Sequence, residues 1–359
     1  MLPMPTPSHP QQFVALAGLR GVAALIVVQW HGQSFLGGRF LPSGYLAVDF
    51  FFLLSGWVLA HAYDARLSSG MPGWEFMRLR LTRLYPVYAL AIMMVLAGWA
   101  IGGHPILPGS LLAFLFLPDL LTAAVDWVVG PSWSLSAEIA ANLPFAFLHR
   151  QLTTPILVAV VLISVILLAW WASRNGDLDL SFRLTSRWGM FPRVFFSFPL
   201  GILLYRHRAT LARWAPRWAT WLAPVLLVGV LAIPAEPALK GVTDLVIAIV
   251  GLPLILLFAA NGQPGPRSAT IAANLASLSY PVYLIHQPIL QGMDVLLQVA
   301  TGASITHLSP VFGTGIVIGV IAIAWLIDRL YDQPIRRWLT RPHRPRGAAQ
   351  ALATSPPEV

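Results

Sequence analysis

Runs of predominantly apolar residues recur from Phe13 to near residue 328, with only short polar breaks between them. A run of about 20 such residues crosses a bilayer core as a helix. That repetition constrains the chain more than any other feature. Overall 57% of the residues are apolar and 10% are charged, with a mean hydropathy of +0.71. Soluble domains carry about 25% charged residues, so this chain cannot cover a water-facing surface of its size. A cytosolic enzyme, a disordered chain, a coiled coil and collagen are excluded together. The expected fold class is all-α, a polytopic integral membrane helical bundle. There is no cysteine, which removes disulfides, thiolate nucleophiles and cysteine metal sites. Met1–Gln12 holds no Lys or Arg, so no cleavable signal peptide is expected and Phe13 opens a retained span.

By length and hydropathy, ten spans are expected at roughly 13–36, 45–62, 84–102, 133–149, 154–172, 194–205, 218–235, 241–261, 275–298 and 310–328. Residues 107–121 are apolar but contain Pro108 and Pro118, and read as interfacial or re-entrant. The domain organisation follows: a cytoplasmic segment over 1–12, one transmembrane domain over 13–330, and a basic, Pro/Ala-rich disordered cytoplasmic tail over 331–359. With the N-terminus inside, 16 of the 23 basic residues lie in cytoplasmic segments and 6 outside, with Arg20 inside a span. This bias puts both termini in the cytoplasm of a multi-pass inner (plasma) membrane protein and explains the net charge of +9 without nucleic acid.

Ionisable groups within spans are costly and mark function. Arg20 and His31 share the first span, eleven residues apart. At 3.6 residues per turn they lie on one face, about 16 Å apart along the axis. Asp49 and Glu138 fall near the outer ends of the second and fourth spans, at the expected level of His31. A carboxylate bonded to one imidazole nitrogen fixes the tautomer and raises the basicity of the other, as a general base for an alcohol requires. Either carboxylate can fill that place. His286 sits in the ninth span with Tyr283 one turn earlier, between Pro281 and Pro288; such broken helices line cavities. Arg80 and Arg83 are spaced i, i+3 ahead of the third span, a pair of guanidinium forks suited to phosphate.

These residues resemble the acyltransferase-3 family of integral membrane O-acyltransferases. Arg20, ten residues and His31 match its first-helix motif, and Gly44 to Gly56 resembles its second helix. Arg80 and Arg83 match its Arg-x-x-Arg, Trp133-Ser134-Leu135-Ser136-Ala137-Glu138 its tryptophan-to-glutamate motif, and Ser279 to His286 its late-helix motif. Ala137 stands where valine is common, a conservative departure. The resemblance implies ten helices, cytoplasmic acetyl-CoA or another acyl-CoA as donor substrate, and an acceptor hydroxyl at the outer face.

On that basis His31, Asp49 and Glu138 are the expected catalytic residues. Arg20, Arg80, Arg83, Trp133, Ser134, Ser136, Tyr283 and His286 are the expected substrate-binding residues. The expected function is membrane O-acylation, foremost O-acetylation, of a cell-surface glycan or small-molecule hydroxyl, with no metal and no permanently bound cofactor. Expected partners are acyl-CoA, the acceptor and membrane lipid, with room for a separate extracytoplasmic partner. The alternative from the same buried charges is a proton-coupled secondary transporter or flippase, although no inverted repeat is visible.

Overall fold

The computed structural model describes residues 10–38, 40–116, 128–180, 186–214, 216–262, 265–302 and 310–340. Among these, all regular structure is helical. The helices are α1 (Pro10–His31), α2 (Ala47–Ser68), α3 (Gly73–Ile101), α4 (Ser132–Phe147), α5 (Thr154–Asn175) and α6 (Met190–Arg206). They continue with α7 (Ala223–Leu231), α8 (Lys240–Val246), α9 (Leu252–Asn261), α10 (Pro266–Thr301), α11 (Val311–Ile327) and α12 (Gln333–Leu339). π turns at Ile247–Gly251 and Asp328–Asp332 join α8 to α9 and α11 to α12.

Seven helical runs among the described residues are long and apolar enough to cross a membrane: Val14–His31, Gly44–Ser68, Gly73–Ile101, Thr154–Asn175, Arg187–Arg206, Pro237–Asn261 and Val311–Leu339. The expected count of ten is therefore corrected to seven by this measure, and the three shortfalls have physical causes. The run 133–149 yields α4, which has 16 residues. The run 218–235 yields α7, nine residues after a 3₁₀ turn. The run 275–298 lies in the 36-residue α10, whose Ser277, Ser279, His286, Gln287, Gln291 and Asp294 dilute its hydropathy.

One further expectation changes, and one segment is described in part. The tail expected from 331 begins as ordered structure, because α12 is helical and Arg336 pairs with Asp332 at 2.8 Å. The segment 107–121 starts with a 3₁₀ stretch, Pro108–Leu115, tied to α3 by the Tyr88 hydroxyl donating to Ala113 O at 2.6 Å. Residues 117–121, the segment 1–9 and the tail 341–359 lie outside the described residues.

Two parallel helix pairs frame the centre. α1 lies along α10, with Gly18 and Gly21 against Ala272 and Leu275, so close that a Cβ on Gly21 would stand 2.5 Å from that of Leu275. α2 lies along α6, where Gly56 faces the Phe198 carbonyl and Gly201 faces that of Leu53. Small residues at such crossings give close backbone packing in lipid, where apolar burial no longer separates helix from solvent. The outward faces are apolar: on α5, Leu162, Ile163 and Ile166 are each more than half exposed. Such a surface suits hydrocarbon and not water.

Candidate functional site

α1, α2, α3, α4 and α10 surround a cavity of about 310 Å³. Its polar wall carries Arg20, Arg80, Arg83, Glu138, Ser134 and Tyr283, and Phe51 and Phe52 supply apolar wall. Arg80 and Arg83 reach it because their i, i+3 spacing puts both on one face of α3. Arg80 pairs with Glu138, which also accepts from Ser55 Oγ at 2.6 Å. Arg83 reaches Asp332 at 3.5 Å and stacks over the Tyr280 ring at 5.6 Å. Arg20 donates from Nε to Ser279 Oγ at 3.0 Å and from Nη2 to Ala276 O at 3.3 Å. No carboxylate pairs with Arg20 among the described residues, so the cavity keeps a cationic excess.

The two histidines meet beyond this cavity. His31 Nδ1 lies 3.1 Å from both Val27 O and His286 Nε2, while His286 Nδ1 lies 3.1 Å from Val282 O. A carbonyl can only accept, so His286 Nδ1 carries its proton. In a neutral ring Nε2 is then the lone pair, and His31 Nδ1 must be the donor to it. That leaves the lone pair of His31 on Nε2, with no protein partner among the described residues. His286 is fully buried and both of its nitrogens are committed, whereas His31 is half-buried.

Tyr283 stands between the cavity and the histidine pair. Its hydroxyl is 2.6 Å from Ser134 Oγ, its ring packs edge-on against Phe51 at 5.2 Å, and its centroid is 6.3 Å from that of His286. The helical periodicity of α10 does this, since Ser279, Tyr283 and His286 recur at i, i+4 and i+7, with Ser279 and His286 meeting α1 and Tyr283 meeting α2 and α4.

Among the described residues no carboxylate partners His31, and His286 stands in the place expected for one. Asp49 instead binds Arg193, receiving Nε at 3.1 and 3.2 Å and Nη2 at 2.5 Å. Arg193 also donates to Leu180 O at 2.9 Å and to Tyr45 O at 3.1 Å, and its guanidinium lies over the Trp133 ring at 4.9 Å. A carboxylate only 3% exposed needs such a cation, and that demand takes it away from the imidazole. Glu138 lies with the cavity arginines and not at the level of His31, because α4 is short and antiparallel to α3. Trp133 packs against Arg193 and Phe52, and Ser136 donates to Ser132 O at 3.4 Å; neither lines the cavity, unlike Ser134. Sequence reasoning did not assign Arg193 to the site, and it held Ser55, Ser279 and Tyr280 only as members of motif stretches. The signal for Arg193 was available, since a buried Asp49 demands a cation from an apolar stretch.

The chain is 34% identical to the acyltransferase MdmB of Streptomyces mycarofaciens over 157 residues, covering 38% of this chain and 39% of that protein. It is 39% identical to protein 2 in the picA locus of Rhizobium radiobacter over 183 residues, 45% of this chain and 95% of that protein. It is 27% identical to the exopolysaccharide production protein ExoZ of Rhizobium meliloti (strain 1021) over 300 residues, 80% of this chain and 90% of that protein. No solved structure matches significantly. The acyltransferase-3 family model, described as an acyltransferase domain, matches residues 13–329. Spanning the Arg80–Arg83 pair, the histidine pair and the helices around the cavity, that match makes this chain a member of the acyltransferase-3 family, a multi-pass membrane acyltransferase.

Proposed function

We propose that this protein transfers an acyl group, foremost acetyl, from acyl-CoA to a hydroxyl of a cell-surface glycan. The carrying observation is the tautomer chain from Val282 O through His286 to His31, which leaves a lone pair on His31 Nε2 with no partner among the described residues. In this reading α1 starts in the cytoplasm of the inner membrane, and both termini lie on that side. Acyl-CoA enters at Arg83. Arg20 and Arg80 draw its anionic part toward the cavity, and the thin pantetheine arm runs along α1 over the ~16 Å from Arg20 to His31.

At the histidine end the acceptor hydroxyl donates to His31 Nε2. Its oxygen attacks the thioester carbonyl, and the C–S bond breaks as the new C–O bond forms. The proton taken by His31 then passes to the leaving thiolate, which departs as the free thiol. His286 does not touch the reacting atoms and acts as a positioning residue. Asp49 is assigned to holding α2 and α6 together through Arg193, and Glu138 to holding Arg80 in the cavity. The name of the exopolysaccharide production relative supports a glycan acceptor. The transport reading has no support of that kind.

The test uses membranes carrying the wild type or His31→Gln, radiolabelled acetyl-CoA and surface polysaccharide. Label enters the polysaccharide with the wild type and fails to do so with the variant, although the variant inserts and binds donor. Wild-type transfer by His31→Gln refutes the reading.

A further inference from the structure

A second recess adjoins the cavity at Arg83, lined by Thr82 and Arg83 of α3 and by Gln333, Arg336 and Arg337 of α12. α12 is held there by Tyr331 donating to Pro86 O at 3.2 Å and by the fully buried Asp332, which receives Arg336 at 2.8 Å and Arg83 at 3.5 Å. Asp328 lies 3.7 Å from Arg336, and Arg337 donates to Gln333 Oε1 at 3.3 Å. The carboxylates sit beneath the guanidiniums and orient them, while Arg83 and Arg336 stay 28% and 25% exposed. Three arginines over two carboxylates leave a net positive, pre-oriented surface. Planar forks of this kind bind phosphate bidentately.

The adjoining cavity adds a largely apolar wall, with Phe51 and Phe52, to its own arginines, of which Arg20 lies deep inside. A ligand with a thin, mainly apolar arm and a phosphate-rich head fits both in one orientation. We propose that this recess binds the nucleotide end of the donor, with the ribose 3′-phosphate on Arg336 and Arg337 and the pyrophosphate nearer Arg83. The proposal rests on acyl-CoA being the donor. It gives α12, the end of the last long apolar run, a role in donor binding, beyond the Arg80–Arg83 pair.

The experiment measures binding of acetyl-CoA and of 3′-dephospho-acetyl-CoA to the full-length protein in phosphatidylcholine nanodiscs. The wild type binds acetyl-CoA about a hundredfold more tightly than the dephospho form, as two charge-assisted phosphate contacts of about tenfold each supply. Arg337→Gln loses about tenfold for acetyl-CoA and nothing for the dephospho form. Arg336→Lys, which keeps a cation for Asp332, loses affinity in the same selective way. Equal losses for both ligands, or no preference in the wild type, overturn the proposal while leaving acyl-CoA as donor. A wild type that binds neither ligand overturns the donor reading as well. Phosphatidylglycerol binding that falls in Arg337→Gln with acetyl-CoA affinity unchanged assigns the recess to a lipid headgroup and also overturns it.

Discussion

Replacing His31 and His286 in turn separates base from positioning residue, because the two rings are bonded unequally. His31→Gln removes the only lone pair aimed out of the pair. General-base catalysis supplies about 10²–10⁴-fold, so transfer should fall by about that factor. His286→Leu removes one acceptor from His31 Nδ1, but Val27 O remains 3.1 Å from the same nitrogen and still holds the productive tautomer. The cost is then about one neutral hydrogen bond, ~1 kcal/mol, or about fivefold in rate. His286→Gln offers an amide oxygen to the same donor and should recover most of that loss. The assay is label transfer from acetyl-CoA at matched protein levels, with donor binding measured alongside. If His286→Leu is as inactive as His31→Gln while both insert and bind donor, the tautomer argument is wrong. The buried ring then takes part in the chemistry.

Three other perturbations follow from the same contacts. Asp49→Ala leaves Arg193, 1% exposed, without its carboxylate; stranding a buried charge costs about 3–5 kcal/mol, so thermal stability in detergent should collapse, and Asp49→Leu with Arg193→Met should recover part of it. Arg80→Gln with Arg83→Gln should raise the acetyl-CoA dissociation constant at least about tenfold in normally inserted protein; unchanged affinity would reduce both arginines to anchors. Gly56→Val drives a side chain into the Phe198 carbonyl, and overpacking of about 1–3 kcal/mol should lower the melting temperature, whereas Gly229→Ala, with nothing within 4 Å, should not.

The helical membrane class was legible because apolar run length is a local property. The span count was less so. Length and hydropathy treat each segment alone, while α4 is cut to 16 residues and α10 carries polar side chains that its partners satisfy. Arg20 bonds Ser279, and His286 bonds His31. A polar helix is tolerated in lipid when its polar face meets another helix, and a one-dimensional reading cannot see that face.

The residues that line the cavity and form the histidine pair were legible in the sequence, and their pairings were not. Arg20, His31, Arg80, Arg83, Tyr283 and His286 were each identifiable as groups whose burial needs a reason, and all lie at the cavity or the histidine pair. Which carboxylate serves which cation depends on helix direction and crossing depth. Asp49 and Glu138 look alike in sequence, each a few residues inside an apolar run. Parallel packing of α2 with α6 gives the first to Arg193, and antiparallel packing of α3 with α4 gives the second to Arg80. With both carboxylates taken by arginines, the imidazole at position 31 is left to a second imidazole. A neutral partner fixes a tautomer without adding a negative charge beside the base. An anionic donor of the kind proposed would therefore meet arginines through the cavity, and among the described residues no uncompensated carboxylate would face it on the path toward His31.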